Sequence, residues 1–252
     1  MIITSDKKII DYEYFLFPSG EPHIRVQWEY KPVNISVDLY SSNELIKLLL
    51  ACDSLKRQGC SLETLSIGYF AGGRQDRVAN KGEALTVKVY ADIVNSIGFM
   101  LVNIIDPHSD VTTALVKNAT AISPFKPIQD WIYSLGLDEY LLISPDMGAN
   151  KKTQSLCKYL GKNIFVSCSK ERDTMTGKLK SFNVYADDLH GKPCVIVDDI
   201  CDGGGTFLGL ANELKKKNAG ELYLYVTHGI FSKGKQELEK VFINVSSLNQ
   251  KP

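Results

Sequence analysis

The stretch VIVDDICDGGGT, Val195–Thr206, decides the reading of this chain. An apolar strand over Cys194–Val197 runs into Asp198 and Asp199, then into a glycine-rich turn, then into a helical pattern from Thr206. Strand, tight turn and helix make the βα unit of an open parallel sheet, and such sheets bind ligands beyond the carboxyl ends of their strands. Gly203, Gly204 and Gly205 let the backbone turn sharply and approach a ligand with no Cβ in the way. Their N–H groups, Thr206 and the helix N-terminus frame a cradle for an anion such as phosphate. Adjacent carboxylates repel each other; they suit a vicinal diol or a hydrated Mg²⁺. A sugar phosphate satisfies both halves, against the bland alternative of a solvated βα turn capped by aspartates. No Walker A loop competes, because Gly161-Lys162, Gly177-Lys178, Gly191-Lys192 and Gly234-Lys235 are none of them followed by Ser or Thr.

Outward from this segment, short bursts of Val, Ile, Leu and Tyr alternate with amphipathic stretches. Strands are predicted over Thr64–Phe70, Met100–Ile105, Tyr140–Ser144, Ile164–Cys168, Glu221–Thr227 and Val241–Val245, several without polar alternation, as in strands covered on both faces. Helices are predicted over Ser42–Arg57, with Ser42 as N-cap, and over Glu83–Ile97, Lys151–Leu160 and Thr206–Lys217. The chain through Tyr40 reads as antiparallel strands or a flap, from alternating runs at Ile24–Trp28 and Ile35–Leu39. The segment SPFKP, Ser123–Pro127, interrupts the pattern and sets a domain boundary. The expected fold class is therefore α/β, a mainly parallel sheet flanked by helices, divided into residues 1–125 and 126–252.

Composition agrees with an ordinary globular chain: 252 residues, 44% apolar and 23% charged. Lys+Arg and Asp+Glu are both 29, so the net charge is zero, which argues against nonspecific binding to nucleic acid or an acidic membrane. Six cysteines form no C-x-x-C pair and no zinc-finger spacing, and the polar N-terminus does not read as a signal peptide. A cytoplasmic protein with reduced thiols is the expectation.

Other segments carry chemistry of their own. Arg74, Gln75, Asp76 and Arg77 follow a predicted strand; two arginines and a glutamine there can bind a triphosphate and an adenine edge, or form a charged loop paired through Asp76. His108 lies beyond the Met100–Ile105 strand, as a cap or a metal ligand. Asp146 follows Tyr140–Ser144 in S-P-D, which is also common turn chemistry. Lys170 and Arg172 stand two apart in a polar stretch; in extended backbone both would face one ligand, though a solvated loop gives the same sequence. Met175, Thr176 and Gly177 suggest a loop that closes over a site.

Together these segments resemble one family. VIVDDICDGGGT is similar to the phosphoribosyl-pyrophosphate loop shared by type I phosphoribosyltransferases and ribose-phosphate pyrophosphokinases. FPSGE (Phe17–Glu21), GRQDR (Gly73–Arg77), DPHSD (Asp106–Asp110), SPDMGANKK (Ser144–Lys152), SKER (Ser169–Arg172) and THGIFS (Thr227–Ser232) resemble, in order, the pyrophosphokinase pattern. The resemblance implies two tandem type I phosphoribosyltransferase-like domains, ATP on the first and a 5-phosphorylated ribose on the second. It makes Arg74, Gln75, Asp76, Arg77 and His108 ATP contacts, with Phe17, Ser19 and Glu21 reaching the nucleotide from a neighbouring subunit. It gives Mg²⁺ to His108 and Asp146, and the ribose to Asp146, Asp198 and Asp199. The 5'-phosphate goes to the Asp202–Thr206 loop, and Lys170 and Arg172 become the catalytic pair. The implied reaction transfers the β,γ-diphosphate of ATP to the anomeric hydroxyl of ribose 5-phosphate.

Three departures qualify the pattern. Gly72-Gly73 stand where the family has Tyr-Ala. The segments before FPSGE and after THGIFS are short, so a homodimer or another homo-oligomer is expected rather than a regulated hexamer. Gly203 stands where the family has Thr, which removes one phosphate contact and opens space for a bulkier 5' group such as that of ADP-ribose, an acceptor in NAD metabolism. A catalytically silent regulatory homologue and a base-transferring phosphoribosyltransferase are the competing readings; retention of Lys170, Arg172, His108, Asp146, Asp198 and Asp199 argues against the first, and GRQDR with SKER against the second.

Overall fold

The computed structural model describes residues 1–28, 31–172 and 179–251, with residues 171–172 and 179–180 described by backbone alone. The chain divides into two compact units, Met1–Ser123 and Pro124–Pro252.

The first unit runs β1 (Ile2–Ser5), β2 (Lys8–Ile10), β3 (Tyr12–Leu16), β4 (Pro22–Val26), β5 (Val33–Val37), α1 (Ser42–Arg57), β6 (Leu62–Ile67), α2 (Thr86–Ile97), β7 (Leu101–Ile105), α3 (Asp110–Leu115) and β8 (Ala119–Ile122). Its sheet has the order β2-β1-β5-β6-β7-β8. Strands β5 to β8 are parallel; β1 is antiparallel to both its neighbours. The expectation of antiparallel strands before Tyr40 holds for β1–β2 and for the separate β3–β4 hairpin. It holds on one edge of β5, which is antiparallel to β1, while on the other edge its Val33, Ile35 and Val37 are buried beside β6 in parallel pairing. Helix α1 has the predicted bounds, but its N-cap is Ser41 in extended conformation, one residue earlier, with no side-chain capping bond.

The second unit runs α4 (Phe125–Ser134), β9 (Leu141–Ser144), α5 (Asn150–Tyr159), β10 (Val166–Arg172), β11 (Leu179–Val184), β12 (Cys194–Cys201), α6 (Gly205–Lys216), β13 (Leu222–Gly229), α7 (Gln236–Glu239) and β14 (Asn244–Gln250). Its order is β11-β10-β9-β12-β13-β14, parallel except for β11. SPFKP does not interrupt the pattern: Pro124 is the N-cap of α4 and Pro127 lies in its first turn, where a missing N–H breaks no helical bond. The predicted strand Val241–Val245 is displaced. Phe242 is buried in the core after α7, and the strand begins at Asn244.

Both faces of this sheet are covered. Val195, Val197, Tyr223 and Tyr225 pack with Ile128, Ile132 and Leu156 on one face; Ile196, Leu224 and Val226 pack with Phe207, Leu210 and Leu214 on the other. This double burial is why β12 and β13 show no polar alternation. All six cysteines are buried as thiols.

Candidate active site

In the second unit the strand does not stop before the aspartates. Hydrogen bonding carries β12 through Cys201, with Asp198 opposite Val226 on β13. Side chains alternate along a strand, so Asp198 and Asp199 leave opposite faces instead of forming one fork. Asp199 is 7% exposed and meets Lys152 of α5 at 3.9 Å. Asp198 accepts the Asp199 backbone N–H at 2.9 Å. Burial, the charge of Asp199 and then that of Asp146 hold Asp198 well above the usual carboxylate range, and Lys170 offsets this in part.

Asp146 sits in the turn between β9 and α5. Its Oδ1 accepts the Ala149 N–H at 3.0 Å, and its Oδ2 pairs with Lys170 of β10. The turn is held by the Ser144 hydroxyl, which donates to the Asp146 carbonyl at 3.1 Å. The strand end therefore carries two ion pairs, Lys152–Asp199 and Lys170–Asp146, with Asp198 linked electrostatically to Asp199, Asp146 and Lys170. Lys170 stands opposite Phe182 of β11, and the pairing register shifts between Glu171 and Arg172. The simple alternation expected to align Arg172 with Lys170 does not pass through that shift. The Arg172 side chain and the predicted closing loop, Met175 to Gly177, lie outside the described residues.

The glycine loop follows at the strand end. Gly204 is the α6 N-cap in left-handed conformation, φ 75°, and a Cβ there would lie 3.3 Å from Leu238. The conformation and the space both select glycine. Nothing lies within 4 Å of a Cβ built on Gly205, whereas at Gly203 the Lys233 side chain lies alongside. Asp202 Oδ1 accepts the Ser232 hydroxyl at 2.7 Å, tying the loop to the end of β13. Thr206 is the second residue of α6. A groove of about 570 Å³ starts at Gly205 and is bounded by Phe182, Gly209 and Asn212.

In the first unit, GRQDR and DPHSD meet. A Cβ on Gly73 would lie 3.7 Å from Thr112 Oγ1 and 3.8 Å from His108 Cβ. Gly72, at φ 78°, packs so tightly that a Cβ would fall 3.1 Å from Thr86 and 3.2 Å from Tyr90, so neither a tyrosine nor an alanine fits here without movement. Arg74, Gln75 and Arg77 are exposed and Asp76 is half-buried. His108 is exposed, just before Ser109, the N-cap of α3. The buried hydroxyls of Ser109 and Thr112 make no hydrogen bond to the protein. Phe17, Ser19 and Glu21 form the tip of the β3–β4 hairpin: the Phe17 N–H donates to the Glu21 carbonyl at 2.9 Å and the Ser19 hydroxyl to the Glu21 carboxylate at 2.8 Å. Phe17 is 47% exposed.

His108 and Asp146 belong to different units, and among the described residues no three His, Cys, Asp or Glu side chains gather as a metal cage. Lys152, Ser109 and Thr112 are polar groups of these clusters that sequence reading missed. Lys152 had a signal in the Lys151-Lys152 pair of the SPDMGANKK segment and Ser109 in the DPHSD segment, while Thr112 had none beyond its closeness to His108.

Known proteins place the chain. Residues 148–248 match the model of the phosphoribosyl synthetase-associated domain. The ribose-phosphate pyrophosphokinase of Thermococcus kodakarensis is 31% identical over 232 residues, 90% of this chain and 80% of that one. That of Pyrococcus abyssi is 31% identical over 251 residues, 96% of this chain and 84% of the other. The crystal structure of phosphoribosylpyrophosphate synthetase from Mycobacterium smegmatis has a similar fold, with a TM-score of 0.81, 23% identity and coverage of 94% of this chain and 79% of that chain. The two sheets with their flanking helices are thus type I phosphoribosyltransferase-like, and no helix among the described residues is long and apolar enough to cross a membrane. On this similarity the chain belongs to the ribose-phosphate pyrophosphokinase family and is a transferase of the pyrophosphoryl-transfer type.

Proposed function

We propose that this enzyme transfers the β,γ-diphosphate of ATP to the anomeric hydroxyl of ribose 5-phosphate, yielding phosphoribosyl pyrophosphate and AMP. The observation that carries the reading is the charge arrangement beside the glycine loop: Asp146, Asp198 and Asp199 set against Lys152 and Lys170, one strand end from the α6 N-terminus. In the reaction the anomeric oxygen bonds to the β-phosphorus, the bond from the β-phosphorus to the α,β-bridging oxygen breaks, AMP leaves with that oxygen, and the hydroxyl proton passes to solvent. Such chemistry asks for positioning and charge neutralisation more than for a covalent intermediate.

Asp198 and Asp199 accept from the ribose hydroxyls. The Asp202–Thr206 loop takes the 5'-phosphate on its N–H groups and the Thr206 hydroxyl. Lys170, with Arg172, neutralises the moving diphosphate, which competes with Asp146 for the Lys170 ammonium. Arg74, Gln75, Asp76, Arg77 and His108 hold ATP, and the orphaned Ser109 and Thr112 hydroxyls support a polar ligand there. Phe17, Ser19 and Glu21 serve the nucleotide of a neighbouring copy, which makes the working form a homo-oligomer.

The residues fit Mg²⁺. Asp146, Asp198 and Asp199 offer carboxylate oxygens, and Mg²⁺ takes one or two carboxylates plus substrate phosphates instead of an all-protein cage. Asp146 in the second unit and, separately, His108 in the first are the residues that would hold such an ion, and it would supply charge neutralisation on the phosphate oxygens.

A second acceptor class has its own observation. Gly205 brings no side chain and opens on free space, and the groove it helps line leaves room for a larger 5' group such as that of ADP-ribose; the space beside Gly203 is taken by Lys233. Product mass spectrometry with ATP, Mg²⁺ and each acceptor tests both. AMP plus a sugar pyrophosphate is expected; AMP release with neither acceptor would overturn the reading, and a strong preference for ribose 5-phosphate would remove the second.

A further inference from the structure

We infer that Lys233 is a specificity-determining residue that replaces the loop side chain absent at Gly203 and sets its ammonium against the charged 5' end of the acceptor. The inference rests on the reading of the glycine loop as the sugar-phosphate site.

A Cβ built on Gly203 would lie 3.6 Å from both Cδ and Cε of Lys233 and 3.8 Å from its Cγ. The lysine stem therefore packs alongside the bare Gly203 backbone, at ordinary contact distance from where a Cβ would stand. Its backbone is held against the loop. The N–H groups of Ile230 and Phe231 donate to the Cys201 carbonyl at 2.8 and 3.1 Å, and the Ser232 N–H donates to the Asp202 carbonyl at 3.2 Å. The Ser232 hydroxyl adds its bond to Asp202 Oδ1 at 2.7 Å. Phe231 takes the left-handed region, φ 45°, and the Gly234 N–H closes the turn on the Phe231 carbonyl at 2.7 Å. Lys235, the other cation of this turn, lies over the Phe231 ring at 4.5 Å. The exposed Lys233 is left to meet a ligand.

The exchange is chemically asymmetric. A threonine hydroxyl donates one short-range bond, whereas an ammonium on a flexible stem acts as a point charge that follows a phosphate group wherever it sits. A site built this way gains with the negative charge of the 5' group and loses with added salt.

Steady-state kinetics of the full chain with saturating ATP and Mg²⁺ test this, using ribose 5-phosphate and ADP-ribose in parallel and Thr206→Ala as reference. For Lys233→Met, KM for the acceptor should rise about tenfold, the scale of one charge-assisted contact, while kcat and KM for ATP stay within about twofold. Lys233→Arg should recover most of the loss, and the salt dependence of the acceptor KM should flatten in Lys233→Met. If Thr206→Ala raises the acceptor KM and Lys233→Met does not, or if Lys233→Met lowers kcat alone, the role of Lys233 is overturned and the loop reading stands. If neither variant moves the acceptor KM, the loop reading itself falls.

Discussion

Asp198 shows how one residue trades stability for chemistry. Its carboxyl is buried beside Asp199 and Asp146, and all three effects raise its pKa above the ordinary 3.8. A carboxyl raised on folding favours the folded state while protonated; that contribution is complete below the ordinary value and is lost as pH rises through the folded one. Above that ordinary value the fold must either keep this carboxyl protonated or bear its buried charge, and either way it loses stability. Asp198→Asn keeps an oxygen for the Asp199 N–H and removes the charge. We expect its Tm at neutral pH to rise by about 2–4 °C, the effect of ~1 kcal/mol in a chain of this size, with the gain shrinking as pH falls toward 3.8. The same variant should lose about a hundredfold or more in turnover, because the ribose loses its charged acceptor. Thermal scans over pH together with AMP release measure both; a variant no more stable than the parent would show that Lys170 already cancels the repulsion.

Among elements, the β10–β11 hairpin and α6 depend on each other. Lys170 stands opposite Phe182, and a Cβ on Gly209 would lie 2.5 Å from the Phe182 ring. Gly209 is thus the seat on which the lysine-bearing hairpin rests against the helix that starts at the phosphate loop. Gly209→Ala should cost about 1–3 kcal/mol by overpacking, and Phe182→Leu in the same chain should restore part of it. Denaturant unfolding reads the stability, and a matching fall in kcat would show that the seat also places Lys170. The elements differ in how openly the sequence announced them. The Leu45, Leu48 and Cys52 stripe marks α1, and the apolar runs of β12 and β13 mark the central sheet. α4 was hidden by Pro124 and Pro127, which break a helix except at its start. β8 was hidden because it is short and mostly exposed. At the site, Asp198, Asp199 and the glycines stand in one contiguous segment and are legible as such. The Lys152–Asp199 and Lys170–Asp146 pairs are not, since each joins residues distant in sequence that only the parallel sheet brings together.

For the whole molecule, the β3–β4 hairpin makes a statement about assembly. Phe17 is exposed at the tip, stacked edge-on with Phe15 at 5.4 Å, so its geometry is set before any partner arrives. If this tip serves a neighbouring copy, two inactive variants should complement. Phe17→Ala and Lys170→Ala, mixed in equal amounts after exchange of subunits, should regain about a quarter of the parental activity in a dimer, since half the dimers are mixed and each mixed dimer has one intact site. Activity that stays at the sum of the separate variants would assign the hairpin to its own chain.

The burial of all six cysteines gives the enzyme an internal counter. Cys52 and Cys60 belong to the first unit, and Cys157, Cys168, Cys194 and Cys201 to the second. Burial drives most of these thiols upward, Cys52, Cys168 and Cys201 to about 12, so a maleimide should label the native protein slowly. Intact-mass spectra taken during gradual heating should then show which half opens first: a plateau at two adducts marks early melting of the first, a plateau at four marks the second, and a direct jump to six marks one cooperative transition.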